Sequence, residues 1–297
     1  MLKLSNRLLR FVIVFIVLFT MLQVTHASEI RVLLYEAKEG GSYVPADVTE
    51  LEKAESLFLR TLQGEDTSVL KDEWQTIDFD LIAIREKGKN YLVLQEIPAR
   101  KEGRGFYLFR ANSNSTSVLQ APHSFKDLRT REITFDLILQ SDYAAAAWNT
   151  VPRDYIENNV QIDADMAHLE HTFFISFSRA FARHYTQGDL LQLHGYAQDK
   201  RSTDAGKASE LILSSGTSMP TNTLLETVAC MKQKVSSKTY AYPLEVDELG
   251  GTTNTIGKAL RQLGHEGFMH IEINRGIREQ LLTEPKLQNG FNNCLPS

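Results

Sequence analysis

Apolar positions along the chain fall into runs of two kinds. Residues 48–62 show helical spacing, with Leu51, Ala54, Leu57, Phe58 and Leu62 on one face. Before that helix, residues 30–37 read as a strand. After it come extended runs at 77–85, 91–97, 106–110 and 118–121, separated by clusters of Gly, Asn, Ser and Lys. This front third predicts successive strands, antiparallel at first. Beyond His123 the pattern changes. Residues 135–148, rich in Ala, and 165–184 predict helices; 190–193 and 210–214 predict buried strands. A helix over 223–235, an extended segment over 240–244, a helix over 255–263, a strand over 269–273 and a helix over 277–282 complete the alternation. Strands alternating with helices predict an α/β fold, a central sheet with helices on its faces. The polar loop 196–207 follows a strand end, a place where binding residues gather.

The length of 297 residues suits one large α/β unit or two small ones. The pattern divides the chain into a strand-rich N-terminal region, 28–105, and an α/β domain, 106–297, with 28–297 as one compact unit the alternative. At 42% hydrophobic and 23% charged residues, the composition is that of a globular protein. The net charge of -5 gives no reason to expect nucleic acid as a partner. Lys3, Arg7 and Arg10 precede an apolar run over 11–22, and Thr25-His26-Ala27 places small residues at the -3 and -1 positions. This predicts a signal peptide over 1–27 and a periplasmic or secreted protein. The competing reading, an uncleaved anchor, meets an apolar stretch that is short against the ~20 residues of a membrane span. Cleavage removes three basic residues and takes the charge from -5 to -8. No second segment is apolar enough to span a bilayer. Export permits a disulfide between Cys230 and Cys294 but does not show that the two are near.

Three segments share one layout, an apolar strand ending in metal-competent or acidic groups: residues 117–127 with His123 and Asp127, 190–196 with His194, and 267–275 with Glu272. Sites in open α/β sheets gather at the carboxyl ends of strands. A catalytic zinc takes three protein ligands and keeps a position for water. His123 and Asp127, four apart across a turn, can bind one ion, and His194 can complete the set. Two histidines and a carboxylate also accept other divalent metals. Glu272, a carboxylate in an apolar strand, suits the role of a base beside the ion. His168 and His171, at i and i+3 in the helix expected over 165–184, are a competing metal pair. Gly250-Gly251-Thr252-Thr253-Asn254 reads as a turn before a helix, with anion binding at that helix start as the alternative. No Gly-x-Ser-x-Gly, Walker or dinucleotide motif is present.

Pro122-His123-Ser124 with Asp127 resembles the opening motif of the N-formylglutamate amidohydrolase family, Pro-His-Ser/Ala-Gly with an acid four residues after the His. Leu193-His194-Gly195 is similar to that family's Leu-Asp-x-His-Ser strand end, and residues 194–198 also resemble the His-Ser-Tyr-Ser-Gln segment of zinc carboxypeptidases. Ile271-Glu272-Ile273-Asn274-Arg275 matches the amidohydrolase pattern Ile-Glu-Ile-Asn-Arg. The resemblance spans residues 118–282, in the right order. It implies a mixed central sheet flanked by helices, of the zinc carboxypeptidase-like, phosphorylase/hydrolase-like kind, carrying a strand-rich N-terminal extension. It also implies a zinc hydrolase of amide or peptide bonds, one ion per chain, acting on a small molecule or peptide with a carboxylate. By position, His123, Asp127 and His194 become zinc ligands, Glu272 the general base, and Arg275 a substrate or structural cation. Asn149 with Arg153 resembles the Asn and Arg pairs that hold substrate carboxylates in both families, and His168 falls where the amidohydrolases carry a His-bearing helix near the site. The chain departs from the motifs at Phe125 for Gly, Gln192 for Asp and Gly195 for Ser, which puts the amidohydrolase's own substrate in doubt. Arg129, Arg131 and Arg201 are further carboxylate-binding candidates. The reading from a different class is an inactive binding protein on the same fold.

Overall fold

A computed structural model describes residues 28–38 and 41–297; the expected signal peptide lies outside the described residues. Three helices come first, α1 (Glu29–Ala37), α2 (Val48–Leu62) and α3 (Thr67–Gln75), and then β1 (Phe79–Glu86), β2 (Lys89–Glu96), β3 (Phe106–Arg110) and β4 (Val118–Ala121). α4 (Thr130–Gln140) leads to β5 (Ala145–Trp148) and the hairpin β6 (Asp154–Glu157) and β7 (Val160–Asp163). The remainder is α5 (Phe173–His184), β8 (Leu190–Tyr196), α6 (Asp204–Ala208), β9 (Leu211–Ser214), α7 (Asn222–Lys234), β10 (Thr239–Ala241), α8 (Thr255–Gln262), β11 (Phe268–Asn274), α9 (Arg275–Thr283) and α10 (Pro285–Cys294).

Nine strands form one mixed sheet in the order β1-β2-β3-β5-β4-β8-β11-β9-β10. β1, β2, β3 and β5 pair antiparallel in succession; β5, β4, β8 and β11 run parallel; β9 is antiparallel to β11 and parallel to β10. The fold class is thus α/β, a mixed central sheet flanked by helices. One apolar layer joins Leu119, Leu191, Leu193, Ile271 and Ile273 to α1, α4, α7, α9 and α10. The other joins Val118, Ala145, Leu190 and Phe268 to α2, α3, α5 and α8. The strands at the centre are buried on both faces, which is why they read as apolar runs without alternation. Among the described residues no helix is long and apolar enough to cross a membrane.

Three expected elements differ. Residues 29–37 are a helix and not a strand: Ile30 and Leu34 are buried with Leu33 and Ala37 packed beside them, the i, i+3, i+4, i+7 spacing of a helix face, and Ser28 caps its start. The helix expected over 135–148 stops at Gln140, and Ala145–Trp148 is a strand paired on both sides, with β3 and β4. The ladder satisfies its backbone and overrides the helix propensity of alanine. The helix expected from residue 165 begins only after Thr172, whose side chain accepts from Ile175 N–H; Asp165 is engaged elsewhere. His168 and His171 therefore share no helix face, and His171 lines a separate surface hollow with Glu170, Arg179 and Lys258. Helix α3 was not expected. Cys230 of α7 and Cys294 of α10 form a disulfide.

Candidate metal centre

The site forms where parallel strands β4, β8 and β11 end. β4 stops at Ala121 and the chain turns through Pro122. The amides of Lys126 and Asp127 both bond back to the carbonyl of His123, at 2.9 and 2.8 Å, so one turn brings His123 and Asp127 together. The β8–β11 register sets His194 directly beside Glu272, and Gln192 beside His270. Side chains two apart on a strand share a face, so these four groups project together.

His123 Nδ1 lies 3.5 Å from Asp127 Oδ2, His194 Nδ1 lies 3.4 Å from the same oxygen, and the two Nδ1 atoms are 3.1 Å apart. All three residues are buried. Their other ring atoms fix the tautomers. His123 Nε2 is 2.7 Å from Asp165 Oδ1, and His194 Nε2 is 2.8 Å from Gln192 Oε1. Both acceptors require a proton on Nε2, which leaves both Nδ1 lone pairs facing Asp127. Gln192 is held in that role by Asn254, which donates to its oxygen, and by Gln120, which accepts from its nitrogen and itself donates to Ser178. Three convergent donor atoms with edges of 3.1 to 3.5 Å can take a cation between them. Tetrahedral bonds of about 2.0–2.1 Å would set such donors about 3.3 Å apart. His123, Asp127 and His194 can thus hold a metal ion.

The carboxylates around His123 favour its protonated ring, so a metal ion would have to displace that proton. Burial works against a charged His123, yet its hydrogen bonds to Asp127 and Asp165 outweigh it and hold the ring up at about 9. Burial would raise Asp165, but the His123 contact brings it down to about 2; Asp127, between two histidines, is likewise held below the usual carboxylate range. Burial pushes His194 down, only partly opposed by Asp127. Glu272 is pushed up to about 8, by burial first and by Asp127 second. Its Oε2 is buried without a hydrogen bond, as is His270 Nδ1. Oxygen and ring-nitrogen atoms of Glu272, His270 and His194 lie within 4.8 Å of one another.

These groups line a cleft of about 490 Å³. Its wall is strongly basic: Lys126, Arg153, Lys200, Arg201, Arg275 and Arg278, against Asp127 and Glu272 as its acids. Of the residues expected on the substrate side, Arg153, Arg275 and His168 line the cleft. Asn149 stands behind it, accepting from Ser124 N–H at 2.8 Å and donating to Val151 O, so it ties the loops after β4 and β5 together. Arg131 is also behind, its guanidinium over the ring of Phe125 at 5.0 Å; the unexpected aromatic at 125 is covered by this stacking. The loop 196–207 contributes Lys200 and Arg201. The turn 250–254 serves structure: Asn254 caps α8, and Gly251, at φ 58, lies against the His270 ring where a Cβ would collide.

Sequence reasoning gave no role to Asp165, His270 or Arg278, and met Gln192 only as a departure from the amidohydrolase motif. Period-two alternation on β8 and β11 pairs Gln192 with His194 and His270 with Glu272, a usable signal. Asp165 reaches His123 from 42 positions further on, through a turn that no local pattern announces.

No protein-family model matches the chain, and no curated protein matches it. Among solved structures the chain is similar to a bacteriophage poly-gamma-glutamate hydrolase, at 11% identity and a TM-score of 0.40, over 61% of this chain and 82% of that one.

Proposed function

We propose that the chain is an exported zinc-dependent hydrolase of an amide or peptide bond in a carboxylate-bearing substrate. The observation that carries this reading is the triangle of His123 Nδ1, Asp127 Oδ2 and His194 Nδ1, with the unpaired Glu272 oxygen beside it. Zinc held by these three residues supplies Lewis acidity toward a carbonyl and makes nearby water easier to deprotonate. Glu272, without a hydrogen bond on Oε2 and with its proton affinity raised by burial, takes the proton of the attacking water and returns it to the departing nitrogen. Asp165 and Gln192 hold the two imidazoles in the tautomers that present Nδ1. The basic wall orients an acidic substrate. Export is supported by the N-terminal pattern and by the Cys230–Cys294 bridge, which suits an oxidising compartment.

Elemental analysis of the purified protein beside a His123→Ala, His194→Ala double variant tests the metal. About one zinc per chain, lost in the variant, is expected, followed by hydrolysis of acyl-amino acids or peptides. A wild type that takes up no metal after incubation with zinc overturns the proposal.

A further inference from the structure

The geometry points to Arg278 as the residue that anchors a substrate carboxylate beside the metal centre. This inference rests on the proposed function and names the group that selects its substrate. The other arginines of the cleft already have carboxylate partners: Arg153 with Asp165, Arg201 with Glu248, Arg275 with Glu279. Arg278 has no ion pair among the described residues, although it is 7% exposed and lines the cleft. Its Nε and Nη1 are spent on backbone carbonyls, Asn274 O and Leu128 O. Nη2 has no hydrogen-bond partner and keeps access to solvent, in a residue that lines the cleft. A buried cation whose hydrogen bonds all go to neutral carbonyls, with Asp127 and Glu272 acting on it only at a distance, gains from a counterion in the cleft.

Gly195 fits the same account. A Cβ at this position would overlap Nη1, Cζ and Nε of Arg278. The guanidinium therefore lies flat on the β8 backbone one residue beyond His194, in space that any side chain would fill. The glycine that replaces the family-like serine makes room for this arginine. The N–H groups that remain free on Nη2 can donate to a carboxylate near the scissile carbonyl. Arg275, which the resemblance favoured, has a side chain that is 80% exposed and is paired to Glu279 across one helical turn.

The test is calorimetric binding of glutaramate, which has one carboxylate, and of the uncharged diamide, glutaramide, to the zinc-loaded wild type and to Arg278→Met, Arg278→Lys and Arg275→Met. The wild type should prefer glutaramate by about 10- to 100-fold, the range expected of charge-assisted hydrogen bonds. Arg278→Met should abolish that preference, and Arg278→Lys should restore part of it. A purely structural role would weaken both ligands alike and keep their ratio, which would overturn the inference. So would a wild type without preference, or a preference lost in Arg275→Met and kept in Arg278→Met. Zinc content of the same samples separates the two proposals. A wild type that takes up no zinc ends the proposed function, while the preference for glutaramate over glutaramide, read on that protein, still decides for or against Arg278.

Discussion

Replacing Asp165 by Asn removes one charge from behind the metal centre while keeping shape and an acceptor. Asp165 Oδ1 takes the Nε2 proton of His123 at 2.7 Å in a buried pair, so its charge flows directly into the basicity of Nδ1. Carboxylates in this position are worth about 10- to 100-fold in metal affinity, or roughly 1.4–2.7 kcal/mol. Asp165→Asn should fall near the tenfold end, because an amide oxygen still fixes the tautomer; Asp165→Ala should approach the hundredfold end, because the Nε2 proton is then left unsatisfied. The assay is zinc competition against a chromophoric chelator at fixed pH. Asp165 also accepts from Ala167 N–H at 3.1 Å and lies 3.5 Å from Arg153. The thermal midpoint of the metal-free variants therefore has to be measured alongside, to separate loss of fold from loss of affinity. A folded Asp165→Asn with zinc affinity within about twofold of wild type would refute the assignment of Asp165 to the metal centre.

Glu272→Gln should keep zinc and lose turnover by about 100- to 10,000-fold, measured on any substrate the wild type cleaves; wild-type rates in the variant would remove Glu272 from the base role. Glu96 is buried and its carboxyl is pushed up to about 7, by burial first, against hydrogen bonds from the amides of Glu102 and Arg104. A carboxyl whose folded pKa is raised favours the native state at low pH and costs stability as pH climbs from its unfolded value through 7. Glu96→Gln should therefore gain on the order of 1–3 kcal/mol at pH 8.5 and well under 1 kcal/mol at pH 5, read by urea melts; equal gains at both would contradict it. Cys230 and Cys294 close a loop of 64 residues. Serine at both positions should lower stability by up to about 4 kcal/mol, and an unchanged midpoint with and without reductant would argue that the bridge is not formed in solution.

The elements of the central sheet were legible because strands buried on both faces leave continuous apolar runs, as at Leu190–Tyr196 and Phe268–Asn274. Metal-competent residues at their ends were legible for a related reason. A polar group after an apolar strand needs a partner, and His123, Asp127, His194 and Glu272 stand where three such strands stop. Other features depended on partners that the local sequence does not contain. Ala145–Trp148 has helix-forming composition, and the pairing of its backbone with β3 and β4 makes it a strand. Residues 164–172 stay out of helix while Asp165 serves His123 and Thr172 caps α5. Asn149, placed by resemblance on the substrate side, is turned inward to brace two loops. Arg278 looks like any exposed helical arginine in sequence; contact with Gly195, from a strand more than 80 positions earlier, buries it beside the metal centre. Periodicity and residue chemistry determined most strands of the central sheet and which residues can bind metal. The positions of second partners across the sheet, which fix tautomers, leave oxygens unpaired and leave one arginine without a counterion, were decided by tertiary packing, because such contacts join residues whose separation along the chain carries no pattern.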